Sequence, residues 1–354
     1  MSEFGIHWYS GTSDSDVGNM YGYTTHNRTL KRHVEKICPV GGPEFEDVLH
    51  ITPPEGFEPI PNKTNWLFTM FEGSVVPEIY RVYIGLADYL FVPCKWCRDL
   101  FGDFFPKEKI FVVPHGVESI FRYQKRVHPI RRGKRFRYLW VGAHNPRKGW
   151  EEVIILWDRA GFRINPDVEL YIKTTNLDRV ERIGNCTVDG RNLPRKKLIE
   201  LYHKSHCFVF PTRGEGFGLT LAEAMRTGLP AIAPLYSGVT EFFDRDVGYP
   251  VGYEMCNSTF TFPSRPELGD QPTQVCFPNV ADISKWMVWI AQHYEEALEK
   301  GRKAHERLKN EFTWERAAKL LVDPMREVYE KRRDGTLVEP RRDEPKGSGK
   351  ELWV

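Results

Sequence analysis

No stretch of this chain reaches the ~18 consecutive apolar residues that a bilayer-spanning helix needs, which excludes a membrane-spanning segment of that kind. The opening residues, MSEFGIHWYS, show no basic segment followed by an apolar one, so no secretory leader is read there and a cytoplasmic location is the expectation. Cysteine is scarce and odd in number, seven among 354 residues. That speaks against a disulfide framework and for reduced thiols. Cys94 and Cys97, in VPCKWCRD, have the spacing of a redox or metal half-site. No second Cys/His pair at ligand spacing accompanies them, so buried thiols at a helix start are expected. Acid is missing from one block. Residues 119–150 hold ten Lys/Arg and no Asp/Glu, against ten and sixteen in 1–118 and thirty and thirty-two after 150, for a net charge of +2. A basic block in a near-neutral chain asks for an anionic partner. Hydrophobic residues, at 41%, suffice for cores, and the length suits two domains.

Apolar runs alternate with segments of helical spacing. FGIHWY (4–9), a weak VLHI, NWLFTM (65–70), DYLFVP (88–93) and KIFVVP (109–114) read as strands, with a helix over 24–37. RFRYLWVG (135–142), VELYIK (168–173), HCFVFP (206–211) and PAIAP read as strands of a second unit, with helices over 149–161, 194–205, 280–299, 302–310 and 313–330. Continuous apolar strands separated by helices imply parallel sheets covered on both faces. The expected fold is α/β: two doubly wound domains facing a cleft. The domain reading is 1–120, a basic linker 121–134, a second domain 135–312, a crossover helix 313–331 and a loose tail 332–354.

Residues 211–234 read PTRGEGFGLTLAEAMRTGLPAIAP. A strand ends at Pro211, glycines free the next backbone stretch, and a helix runs from Leu219 until Gly228 and Pro230 stop it. Such a loop lies at the carboxyl edge of a parallel sheet, where ligands bind, and it leads into a helix N-terminus suited to phosphate. Gly216 and Gly218 allow close approach of the main chain. Glu223 falls in the helix's second turn, on the face of Leu219 and Thr220, and Glu215 precedes the helix. Two carboxylates beside an anion site can accept hydrogen bonds from hydroxyls, as a ribose and a hexose would offer. The alternative is one surface acid and one helix-dipole acid.

GEGFGLTLAEAMRTGLPAIA resembles the signature of family 4 retaining glycosyltransferases, which have the GT-B fold. VVPHGVE (112–118), LWVGAHNPRKGWEEVI (139–154) and FTWERAAKLL (312–321) are similar to other segments of that family in the same order, over residues 65–330. The resemblance implies a nucleotide diphosphate sugar, UDP- or GDP-linked, as donor substrate and no resident cofactor. It implies that Glu223 binds the ribose, that Glu215 lies at the donor sugar, and that backbone N–H groups of Phe217, Gly218 and Leu219 hold the diphosphate. Lys148 would neutralise the diphosphate and help it depart, as charge builds on the leaving group. Gly18, in DSDVGNMYG, resembles the loop covering the donor phosphates. Asp14 and Asp16 beside it invite a metal reading, which is set aside because lysine and helix dipole do that work in the family. Ala143 stands where many relatives carry a phosphate-clamping arginine, so Arg147 is the expected substitute. Phe71 stands where many carry a histidine; Glu72, next to it, is an acceptor-side acid or a helix cap. His115 is an acceptor-side or simple turn residue. The implied reaction is transfer with retention, by front-face attack.

The acceptor is open. A saccharide or other small hydroxyl compound comes first. The basic block interleaves Arg122, Lys125, Arg126, Arg131 and Arg132 with Phe121, Tyr123, Phe136 and Tyr138, a pattern suited to phosphate backbones and stacked bases. It is similar to phage enzymes that glycosylate hydroxymethylated bases in duplex DNA. A solvated linker and an edge strand explain the same residues. A third reading is a GT-B protein that binds a sugar nucleotide without transferring sugar, or an epimerase; Ala143 and Phe71 favour it.

Overall fold

The computed structural model describes residues 3–9, 21–130, 133–159, 161–175, 177–261 and 265–337. Gly18, Asp14, Asp16, Arg131, Arg132 and the tail from 338 lie outside the described residues.

The N-terminal domain is a parallel sheet of β1 (Ile6–Tyr9), β2 (Val40–Gly41), β3 (Asp47–Ile51), β4 (Thr64–Phe68), β5 (Tyr89–Val92) and β6 (Ile110–Val112), in the order β2-β1-β3-β4-β5-β6. Helices α1 (Tyr21–Val34), α2 (Glu78–Ile84) and α3 (Lys95–Phe101) connect its strands. β3, β4 and β5 are buried at every position, so their sequences are largely apolar, with Asp47, His50, Thr64 and Asn65 as buried polar exceptions. Asp47 is tolerated there because Trp66 Nε1 donates to it at 2.9 Å and Arg332 pairs with it at 2.6 Å.

The second domain is a sheet of β7 (Phe136–Val141), β8 (Val168–Lys173), β9 (Val180–Ile183), β10 (Cys186–Asp189), β11 (Cys207–Val209), β12 (Ala231–Pro234) and β13 (Tyr249–Val251). Its order is β13-β12-β11-β7-β8-β10-β9, and only the edge strand β9 runs antiparallel. Helices α4 (Trp150–Arg159), α5 (Arg195–His203) and α6 (Leu219–Arg226) link these strands, and a hydrophobic core lies on each face. After β13 the chain makes a hairpin of β14 (Tyr253–Phe260) and β15 (Gln271–Pro278), then enters α7 (Val280–Gln292), α8 (Tyr294–Glu311) and α9 (Trp314–Arg333). α9 crosses back and packs its Trp314, Ala318 and Leu321 into the N-terminal core beside Ile6 and Phe68. The two crossings touch: Val117 N–H donates to the Phe312 carbonyl at 2.8 Å.

Several expectations need correction. The sequence reading names no element between 235 and 279, yet β13 and the hairpin lie there, and β9 and β10 were likewise unassigned. The helical break expected at 300–301 occurs at His293, whose φ of −117° and ψ of 45° leave the helix. Gly301 sits inside α8 because a Cβ there would overlap the Gly228 carbonyl. Arg332, assigned to a loose tail, is helical and paired to Asp47.

The basic block is not a stripe. Phe121, Phe136 and Tyr138 are core residues. Arg126 is buried and donates to the carbonyls of Ser205, Gln124, Thr227 and Tyr202 at 2.8–3.1 Å, so it ties the linker to the second domain and is not available to a polyanion. Arg137 pairs with Glu169 at 2.7 Å. Arg122 and Lys125 are exposed. Six of the seven cysteines are buried, and all are free thiols.

Candidate functional site

The glycine loop between β11 and α6 is held from both domains. Ser237 Oγ accepts from Glu215 N–H at 2.8 Å, and Glu215 O accepts from Gly238 N–H at 2.8 Å. From the N-terminal domain, the Cys94 thiol donates to the Gly216 carbonyl at 3.3 Å. A Cβ at Gly216 would overlap Met70, and one at Gly214 would overlap the Glu72 carbonyl, so these glycines mark where the two domains meet. Gly218, at φ +98°, is the N-cap of α6 and offers no side chain to the first turn. The first N–H groups of a helix have no partner within it. Phe217, Leu219 and Thr220 surround this uncapped end.

Glu215 is 5% exposed. Lys148 Nζ donates to its two oxygens at 2.9 and 2.6 Å, Thr212 Oγ1 donates at 2.8 Å, and Arg147 Nη1 lies 3.8 Å away. Burial raises its pKa, but Lys148 and Arg147 outweigh burial and hold the carboxyl below its ordinary value. Lys148 moves down, because burial and Arg147 exceed the pull of Glu215. It is aimed by a 3-10 turn over Pro146–Lys148, whose N-cap Asn145 accepts from Arg147 N–H at 2.9 Å. Gly149 ends that turn at φ +73°, against the Pro211 carbonyl.

Arg147 is not a free phosphate clamp in this arrangement. Its guanidinium lies 3.2 Å from Glu72, donates to the Gly214 carbonyl and faces Glu215, so it braces the two domains across the cleft. Burial lowers its pKa, and Glu72 and Glu215 more than restore it.

Glu223 is 7% exposed and held separately. Arg195 Nη2 lies 3.7 Å from it and Tyr202 OH donates at 3.3 Å. Arg195 also pairs with Glu118 and lies over the Phe121 ring at 5.1 Å. Burial dominates, with Arg195 and Tyr202 opposing, and the Glu223 carboxyl is pushed up to about 7. Glu215 and Glu223 are thus neither solvated nor paired with each other: Glu215, ahead of α6, is held by Lys148 and Arg147, and Glu223, within α6, by Arg195.

His115 is enclosed, not set on an open acceptor face. Its ring lies 4.1 Å from His26, 4.9 Å from Phe217 and 5.9 Å from Trp314, and burial lowers its pKa to about 3. Among the described residues no group of three or more His, Cys, Asp or Glu is placed to hold a metal ion. Sequence reasoning missed Arg195, Tyr202, Thr212 and Ser237, which reach the two acids from other elements. No helix among the described residues is long and apolar enough to cross a membrane.

Two facing sheets, a cleft and a glycine loop before an uncapped helix define the GT-B class. Anabaena HepE, solved in complex with UDP and glucose, superposes with a TM-score of 0.64 at 12% identity, covering 92% of this chain and 100% of that one. Sucrose-phosphate synthase from Thermosynechococcus elongatus gives 0.60 at 15% identity, covering 88% and 80%. Residues 175–321 match the model of the family described as "Family 4 Glycosyltransferase in conflict systems". The likeness to family 4 glycosyltransferases by that model thus covers residues 175–321, less than half of the chain. By sequence the chain is 28% identical over 186 residues to the glycosyltransferase-like ORF313 product of Acidianus filamentous virus 1, across 50% of this chain and 54% of that protein. It is 33% identical over 196 residues to the serotype-specific mannosyltransferase WbdA of Escherichia coli, across 52% of this chain and 20% of WbdA. The match therefore spans about half of one relative and a fifth of the other.

Proposed function

We propose that the protein transfers a hexose, with retention, from a nucleotide diphosphate sugar to the hydroxyl of a saccharide or other small acceptor. The observation that carries this reading is the pair of buried acids with separate cation partners, one just before and one within the helix that starts, uncapped, after Gly218. The diphosphate sits over the α6 N-terminus, where main-chain N–H groups and the helix dipole favour negative charge. Glu223 accepts from the ribose hydroxyls and Glu215 from those of the donor sugar. In the reaction the bond from the anomeric carbon to the phosphate oxygen breaks, and the acceptor oxygen bonds to that carbon on the same face. The acceptor's proton passes to the departing diphosphate. Lys148, with a third N–H beyond the two on Glu215, offsets the charge that accumulates there, in place of a divalent ion. HepE's structures with UDP and glucose and with UDP-glucose support this kind of donor.

The duplex-DNA reading keeps only part of the pattern that carried it: Phe121, Phe136, Tyr138 and Arg126 are interior, while Arg122, Tyr123 and Lys125 are exposed. A UDP- and GDP-hexose panel, incubated with and without oligosaccharide acceptors and followed by proton NMR of the anomeric signal, tests the reading. Product retaining the donor's anomeric configuration supports it. Turnover that yields only an epimerised donor, or binding with no turnover by any acceptor, favours the epimerase or the binding protein.

A further inference from the structure

The β14–β15 hairpin belongs by chain order to the nucleotide domain, since it leaves β13 and returns to α7. Its contacts lie on both sides of the cleft. Towards the N-terminal domain, Thr273 Oγ1 donates to the Val75 carbonyl at 2.8 Å, and Ser74 N–H donates to the Gln274 carbonyl at 2.9 Å. Phe260, the last residue of β14, packs on Phe71 and Tyr80 with ring centres 5.2 and 5.6 Å away. Leu268 joins the same N-terminal core. Gly73 is glycine for this approach: a Cβ would overlap Thr273 Oγ1. Towards the second domain, Cys276 N–H donates to the Arg213 carbonyl at 3.0 Å, and the Cys276 thiol to the Thr212 carbonyl at 3.4 Å. Tyr236 OH donates to the Gln274 carbonyl at 3.4 Å.

Within four consecutive residues, Thr273, Gln274 and Cys276 therefore hold the residues just after Glu72 and those just before Glu215. The Glu72–Arg147 pair closes the circuit from the other side, through Gly214. We infer that the hairpin is a strap that positions Glu72 against Arg147 and Glu215, and so sets the separation of acceptor-side and donor-side walls. Donor binding is left largely to the second domain, because Glu223 is held there by Arg195 and Tyr202. The strap's effect falls on the transfer step, where both walls must meet. Its kinetic part rests on the function proposed above.

The test uses the full chain with Phe260→Ala/Thr273→Ala, and the same double variant carrying Ser74→Cys/Gln274→Cys. The Ser74–Gln274 hydrogen bond brings the two backbones into range for a disulfide. UDP affinity by calorimetry and UDP-glucose turnover are read together. The expected result is a UDP Kd within about threefold of the parent, a kcat at least about tenfold lower, and recovery of kcat on oxidation of the cross-linked form. Unchanged kcat in the double variant, failure of the cross-link to form, or its formation without recovery overturns the strap. Should the parent neither bind UDP nor turn over UDP-glucose, the functional reading falls by itself. The strap is then judged by solution scattering, which must show a larger radius of gyration for the double variant and reversal on cross-linking.

Discussion

Glu223 is a carboxyl whose charge changes near neutral pH, and its proposed partner needs the charged form. Its pKa of about 7 means that the carboxylate accepting from the ribose forms as pH rises through that value. Nucleotide affinity should therefore increase between about pH 6 and 8 and level off above, since a ligand that prefers the carboxylate gains as the free protein ionises. Glu223→Gln should remove this component of the pH profile measured by calorimetry with UDP. Arg195→Gln should move the midpoint upward, because Arg195 lowers the Glu223 pKa. Lys148→Ala should cut kcat by about 10²- to 10³-fold with an unchanged circular dichroism spectrum, the scale expected when a positioned charge stabiliser is lost. The acids and the lysine were legible because they stand at fixed offsets from glycines. Arg195 and Thr212 were not: an arginine or threonine carries no such mark, and only packing of α5 and β11 beside the loop shows what it touches.

Individual elements show why some segments declared themselves and others did not. β4 and β5 sit inside parallel sheets, so apolar residues on both faces made them plain. β14 is half exposed, with Tyr253, Met255, Asn257 and Thr259 on one face. Prolines and glycines punctuate the hairpin, and nothing local says that it reaches the other domain. The basic linker misled for the opposite reason: its charge pattern was real, but of the rings between the charges Phe121, Phe136 and Tyr138 belong to the core and only Tyr123 is exposed. Arg126→Leu should lower stability by on the order of 3 kcal/mol in urea unfolding, since buried carbonyls lose a charged donor, and should leave nucleotide affinity unchanged. Gly149→Ala should both destabilise the fold and impair turnover. Its φ of +73° and the Pro211 carbonyl leave no place for a methyl group, and the displaced turn carries Lys148.

At the scale of the whole molecule, two chain crossings, the Arg147 brace and the hairpin join the domains around one loop. A ligand bound there and nowhere in the unfolded chain must stabilise the protein by linkage, by about 2.7 kcal/mol at a hundredfold excess over Kd. The alternation of strands and helices announced two sheets, and the GT-B likeness to solved structures agrees with it. The fit of one domain against the other came only from contacts between distant residues. The most direct measurement is a crystal structure of the protein soaked with UDP. The account predicts diphosphate density over the main-chain N–H groups of Phe217 to Leu219, with the ribose hydroxyls on Glu223 and Lys148 turned toward the phosphates. Density elsewhere on the surface, with the Lys148–Glu215 pair untouched and the start of α6 empty, would contradict it.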